Sequence, residues 1–240
     1  MRPIAWGITG AGHFMEDVFN LMQEASSEVQ VTSFVSAAGE EVIRVYGLRD
    51  KLHEVSDGKR YSEVFTDRTE EASSIHAGRM ARGVYSSLFI APATANTVAK
   101  ICRGIADTLV TNAAAQALKG EVPVFILPTD QSKTTETVLP VRVETSLCAR
   151  CDPCPAEEEC EPQAFNRRAG VGAIDYRRCV GCNLCVDACP YGAVRRGERI
   201  MVRSREVDLR NVERLRSMSG VTVLRDPGDM KCALLRCVRG

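Results

Sequence analysis

Residues 179–190 read Cys-Val-Gly-Cys-Asn-Leu-Cys-Val-Asp-Ala-Cys-Pro, and nothing else in the chain restricts its folding as strongly. Thiols at this spacing wrap the backbone in a tight loop around a sulfur-binding group, and the proline turns the chain away after the last one. A second group, Cys148, Cys151, Cys154 and Cys160, precedes it, so eight of the 11 cysteines lie between Cys148 and Cys189. The opening residues, Met1-Arg2-Pro3 and Ile4-Ala5-Trp6-Gly7, lack a signal-peptide core and cleavage site. No apolar run approaches the ~18 residues of a membrane span. A cytoplasmic location is expected, where thiols stay reduced, and the clustering then asks for metal and not for disulfides.

In the C-x2-C-x2-C-x3-C-P pattern three thiolates hold one cubane and the fourth reaches across to a second. Cys148, Cys151, Cys154 and Cys189 are therefore assigned to one [4Fe–4S] cluster. Cys179, Cys182, Cys185 and Cys160 are assigned to the other. The first group departs from the pattern: five residues separate Cys154 from Cys160, and Glu161 stands before Pro162. The inserted stretch from Pro155 to Glu159 is expected to bulge as a surface loop. Zinc takes two ligands from each CxxC pair and would leave a third cysteine over in both groups. Residues 144–203 resemble a bacterial two-cluster ferredoxin. Cys102 falls in a helical pattern and reads as a small core residue, and no site is assigned to Cys232 or Cys237.

The 240 residues suffice for one large domain, or a medium one with a small companion. Lys plus Arg and Asp plus Glu balance at 31 each, so charge argues for neither nucleic acid nor a strongly acidic partner. Residues 1–143 alternate apolar strand-like runs with helical patterns, which predicts a Rossmann-like parallel α/β sheet. Strands are predicted over 4–9, 29–35, 88–91 and 122–127. Helices are predicted over 14–25, 37–46, most of 69–85, 94–105 and 113–119. Residues 138–144 lead toward the clusters. A helix over 205–218, capped by Ser204 and ended by Gly220, precedes a strand over 221–224. A lone helix–strand pair cannot bury itself, so residues 204–228 should complete the first domain. The α+β ferredoxin-like module (144–203) is then an insertion, and 229–240 is left as a C-terminal tail.

Thr9, Gly10, Ala11 and Gly12 sit where a strand turns into a helix, a place where glycines and helix N–H groups cradle phosphate. Many such turns bind nothing. Ser36, after the second strand, reads equally as a phosphate donor or as a helix N-cap. The run Ala91-Pro92-Ala93-Thr94-Ala95-Asn96-Thr97 and the following Gly104-Ile105-Ala106-Asp107 resemble the PASANT-type motif and GxAD segment of a flavoprotein superfamily. That superfamily contains flavin-dependent cysteine decarboxylases and flavin prenyltransferases. The resemblance implies FMN, with Pro92, Ala93, Thr94, Asn96 and Thr97 near the ring and Thr9–Gly12 with Ser36 at the phosphate. Decarboxylases carry a Met-Asn and Trp clamp, but residues 128–133 read Pro-Thr-Asp-Gln-Ser-Lys. Their histidine also stands closer to the motif than His76 does, so decarboxylation is disfavoured.

The Ile8-Thr9-Gly10-Ala11-Gly12-His13 start, the residue 104–113 segment, Val124–Asp130 and the closing residues 208–227 together resemble the archaeoflavoprotein and dihydromethanopterin reductase branch. The resemblance implies an oxidoreductase passing electrons from ferredoxin through two [4Fe–4S] clusters to FMN, and from there to dihydromethanopterin. The proton donor is left among His76, Asp130 and water. The alternative is an electron carrier between ferredoxin and a protein acceptor, which needs the same cofactors. Superfamily members also imply a homo-oligomer built from trimers.

Overall fold

The computed structural model describes residues 2–239. β1 (Ile4–Ile8) is followed by α1 (Met15–Ser26), β2 (Val31–Val35), α2 (Ala37–Val45), α3 (Arg49–Val55) and β3 (Val64–Thr66). Short turns α4 (Asp67–Glu70) and α5 (Gly78–Ala81) lead to β4 (Leu88–Ala93), α6 (Ala95–Arg103), α7 (Leu109–Lys119) and β5 (Val124–Pro128). The first, second and fourth strands are buried at every residue, as runs of Ile, Val, Leu and Phe covered by helices on both faces must be. Trp6 crosses from β1 to β4: its indole N–H donates to the Ala91 carbonyl (2.7 Å), and its ring meets Phe19 of α1 edge-on.

Beyond β5 the chain leaves the sheet. β6 (Thr134–Val138) pairs antiparallel with the distant β11 (Arg199–Arg203), forming a ribbon. Between them lie β7 (Arg142–Val143), α8 (Pro155–Glu158), β8 (Phe165–Arg168), β9 (Val171–Ile174), α9 (Leu184–Ala188) and β10 (Val194–Arg195). β8 pairs with β9, and β7 with β10. This inserted module has its own small core, in which Val141, Ala156, Phe165 and Val194 pack around the cysteines. β6 and β7 already pair with β11 and β10, so the chain joins the module before residue 144 and leaves it after β11. The chain then returns through α10 (Glu206–Arg216), β12 (Val221–Val223) and α11 (Pro227–Arg239). All six strands of the main sheet run parallel, in the order β12-β5-β4-β1-β2-β3.

Three expectations need correction, and a fourth needs refining. Residues 229–239 are not a tail: α11 buries Met230, Ala233, Leu234 and Val238 in the core beside α1. The stretch 69–85 is mostly helical but not one helix: after α4 come tight turns at Glu71–Ser73 and Ile75–Ala77 and then α5, and the chain bends where Glu71 and Ser74 take left-handed backbone angles. There the Glu70 carboxylate draws the chain round by accepting the His76 N–H and facing its ring. Ser204 does not cap α10; Arg205 holds that position and pairs with Asp208, while Ser204 closes the ribbon by donating its N–H to Lys133. Pro155–Glu158 is a helical turn and not a bulged loop, with proline at its start and Ala156 buried. The sequence reading also passed over α3 and β3, elements of seven and three residues.

Candidate functional site

In a parallel sheet of this order, ligands bind beyond the carboxyl ends of the strands where the winding reverses. Here that point lies between β1 and β4, and a cleft of about 350 Å³ opens there. One wall is the turn Gly10-Ala11-Gly12-His13 after β1, and another is Thr94, Ala95 and Asn96 at the start of α6. Thr129 and Asp130 follow β5, and Thr135, Thr137, Val202 and Ser204 of the ribbon close the side. Small residues on the first two walls let a flat ring approach the backbone, and the Thr94 and Asn96 side chains and the start of α6 supply polar groups. This chemistry fits a flavin.

The cleft brings together Gly10, Ala11, Gly12, Thr94, Asn96 and Asp130 of the sequence-derived set. Thr9 lies beneath it and is 1% exposed. Its hydroxyl donates to the Pro92 carbonyl (2.8 Å) and accepts the Thr94 N–H (2.9 Å), locking the two walls together. Pro92, Ala93 and Thr97 are buried supports, and Thr94 caps α6 by accepting the Thr97 N–H. Ser36 does the same for α2 through Gly39, and the first N–H of that helix, on Ala37, is already given to the Asp67 carboxylate (2.7 Å). The same carboxylate accepts from Leu109 at the start of α7 (2.7 Å). His76 is not in the cleft; it stacks on Phe65 at the far edge strand β3 and faces Glu70 (2.6 Å).

Asp130 is held by the Thr129 hydroxyl (2.7 Å) and by Ser204 (3.4 Å). His13 is the cleft residue that sequence reasoning missed, although it directly follows the glycine turn. Burial lowers its pKa from the ordinary value, opposed by the charges of Asp130, Asp17 and Glu136. The ribbon's contribution was also missed; its signal was the alternation Thr135, Glu136, Thr137, which puts both threonines on one face.

In the module, Cys160, Cys179, Cys182 and Cys185 line one cavity together with Val141, Phe165 and Ile174. These are the four thiols assigned to one cluster. Burial, and then the neighbouring thiols Cys160, Cys179 and Cys182, push the Cys185 pKa up to about 12. The Cys160 sulfur accepts N–H groups from Ala164 (3.2 Å) and Phe165 (3.1 Å), and Cys148 accepts from Gly172 (3.5 Å). Donors of this kind stabilise thiolates that carry an iron–sulfur cluster. Burial, and then the nearby Cys154 and Cys148, raise the Cys151 pKa, so both of these thiols stand close to it. Cys102 is a buried core thiol donating to the Asn211 carbonyl.

Comparison with known proteins agrees with both halves. The flavoprotein family matches residues 1–142, and the 4Fe-4S binding domain matches residues 173–195. A dihydromethanopterin reductase (acceptor) of Methanosarcina mazei is 44% identical over 230 residues, 94% of this chain and 96% of that protein. One from Methanocaldococcus jannaschii is 40% identical, covering 93% and 92%. Burkholderia xenovorans DmrB, solved with FMN and described as a cubic protein cage for redox transfer, superposes with a TM-score of 0.63 at 27% identity. That match covers 99% of this chain and 96% of DmrB. The chain belongs to the flavoprotein family, as an iron–sulfur oxidoreductase.

Proposed function

We propose that this protein reduces dihydromethanopterin to tetrahydromethanopterin, using electrons that pass from ferredoxin through two [4Fe–4S] clusters to FMN in the cleft. The observation that carries the reading is one chain holding both a cleft that fits a flavin and a cysteine module, in a sequence 44% identical to a dihydromethanopterin reductase over 94% of its length. Gly10–Gly12 and Thr94–Asn96 would hold the FMN, whose chemistry is to gather two electrons and deliver them as a hydride. Cys148, Cys151, Cys154 and Cys189 would carry one cluster, and Cys160, Cys179, Cys182 and Cys185 the other. Thr9 keeps the two flavin-binding walls in register. Asp130, fixed by Thr129 and Ser204, and His13 beside it are the cleft's titratable side chains, and they supply the proton that must accompany a hydride. The cage described for DmrB supports a homo-oligomer, which we take to be built from trimers. The need to keep cluster thiols reduced supports a cytoplasmic location.

The test is an anaerobic single turnover. Protein loaded with FMN and iron–sulfur is reduced, mixed with dihydromethanopterin, and followed by flavin absorbance and pterin product. Stoichiometric tetrahydropterin with flavin reoxidation is expected. Flavin that stays reduced under fresh substrate would reject the reductase reading in favour of an electron carrier serving a protein acceptor.

A further inference from the structure

Two cysteine sets can feed one flavin, and the packing of the module against the sheet domain discriminates between them. Gly47, one residue past Tyr46 at the end of α2, and Gly181, between Cys179 and Cys182, both take left-handed angles (φ +69° each) and meet backbone to backbone. A Cβ on Gly47 would stand 2.7 Å from the Gly181 carbonyl oxygen. A Cβ on Gly181 would stand 2.5 Å from the Val45 carbonyl oxygen and would collide with the Gly47 nitrogen. Arg44 adds two hydrogen bonds across the same seam, donating to the carbonyls of Tyr176 (2.7 Å) and Cys179.

Tyr46 extends this contact to the cleft. Its hydroxyl donates to Val138 at the foot of the ribbon (2.7 Å), and a Cβ on Gly12 of the cleft wall would collide with that hydroxyl. Burial, reinforced by Glu16, raises the Tyr46 pKa to about 12, so the group remains a donor at neutral pH. The sequence Cys179–Gly181, Gly47–Tyr46, Gly12 is thus continuous packed matter from cysteine loop to flavin cradle. The partners of the other set lie inside the module: Gly172 on Cys148, and Arg167 on the Cys151 carbonyl.

We infer that the loop bearing Cys179 and Cys182 is the module's electron exit, and that Gly47 and Arg44 are positioning residues that hold it against the flavin cleft through Tyr46. The inference rests on the proposed electron route. Each transfer oxidises one reduced cluster by one electron. Two transfers and one proton from water complete the two-electron reduction of the flavin. The cluster held by Cys148, Cys151, Cys154 and Cys189 is then the entry side, facing the external donor.

The test uses full-length protein loaded with FMN and iron–sulfur, as wild type, Gly47→Ala and Arg44→Ala. Cluster content is read by EPR of the reduced protein, seam opening by amide hydrogen exchange over residues 176–183, and electron delivery by flavin bleaching after mixing with reduced methyl viologen. The direct reaction of viologen with flavin is subtracted using Cys182→Ala. Gly47→Ala is expected to keep its cluster signal, exchange faster over 176–183, and bleach on the order of ten- to a hundredfold more slowly. Arg44→Ala should move the same readouts by less, and it decides the matter if Gly47→Ala fails to load. Wild-type bleaching rates in a variant whose seam exchange has risen would overturn the inference. Photoreducing the flavin directly and then adding dihydromethanopterin separates the two claims: unchanged pterin reduction in the variants accompanies a true exit seam. Failure in wild type as well condemns the substrate and leaves the bleaching result to judge the seam.

Discussion

At Thr9 a single buried hydroxyl ties the end of β1 to the end of β4, spending its proton on Pro92 and its lone pair on Thr94. Valine has the same shape and neither capacity. Thr9→Val would leave a buried carbonyl and a half-buried N–H without partners, at a cost of about 1–3 kcal/mol for an orphaned group. The urea midpoint of the apo-protein should fall accordingly, and FMN should bind more weakly because Thr94 is no longer held. A midpoint unmoved by the substitution would show that the strut contributes nothing. The sequence marked Thr9 as a phosphate ligand because it precedes two glycines in a strand-to-helix turn. Which way a hydroxyl points depends on the neighbouring strand, 83 residues away, and could not be read locally. His76 shows the converse: near the motif in sequence, it sits at the opposite edge of the fold, held by Glu70 and Phe65.

Among the elements, α11 and the ribbon carry the largest differences from what the chain suggested. Met230, Ala233, Leu234 and Val238 fall at helical spacing on one face, and α1 offers Leu21 and Ala25 opposite. Leu234→Ala should therefore cost about 2–5 kcal/mol, the range for a buried leucine emptied to alanine. Chemical denaturation can measure it, and a loss under ~1 kcal/mol would mean that the helix packs loosely. The periodicity was present in the sequence, but its shortness and charge masked it. The ribbon is harder to read. β6 reads Thr-Thr-Glu-Thr-Val and β11 Arg-Ile-Met-Val-Arg, neither alternating polar with apolar, and their pairing joins Thr137 to Ile200 across the whole inserted module. Non-local strand pairing has no local signature beyond period two, so Thr135, Thr137 and Val202 could not have been placed in the cleft beforehand.

For the whole molecule, the proposed electron route would run through three parts in order: cysteine module, glycine seam, flavin cleft. If two cubanes are present, reconstituted protein should hold about eight irons per chain, and Cys182→Ala about four, since each cluster contributes four. Iron and sulfide analysis measures both. A full complement in Cys182→Ala would mean that the cavity of Cys160, Cys179, Cys182 and Cys185 does not hold a cluster of its own. The chain's lack of net charge is distributed, with Arg167 paired to Asp152 and Glu157 in the module and Arg142 to Glu198 and Glu144 at the ribbon's end. Docking of a donor is therefore a matter of local surface and not of overall charge.

The chemistry was legible from residues alone, because thiolate spacing is a local geometric demand and small residues after a strand are a local condition for approaching a flat ring. Period and punctuation likewise marked most of the parallel α/β frame. Tertiary structure decided what depends on contacts distant in sequence. It made Thr9 a strut between two strand ends and Ser36 the cap of α2. It placed His13 and Asp130 together, and set Gly181 against Gly47. Such contacts are made where two surfaces meet, and either surface read singly shows only that it could accept a partner.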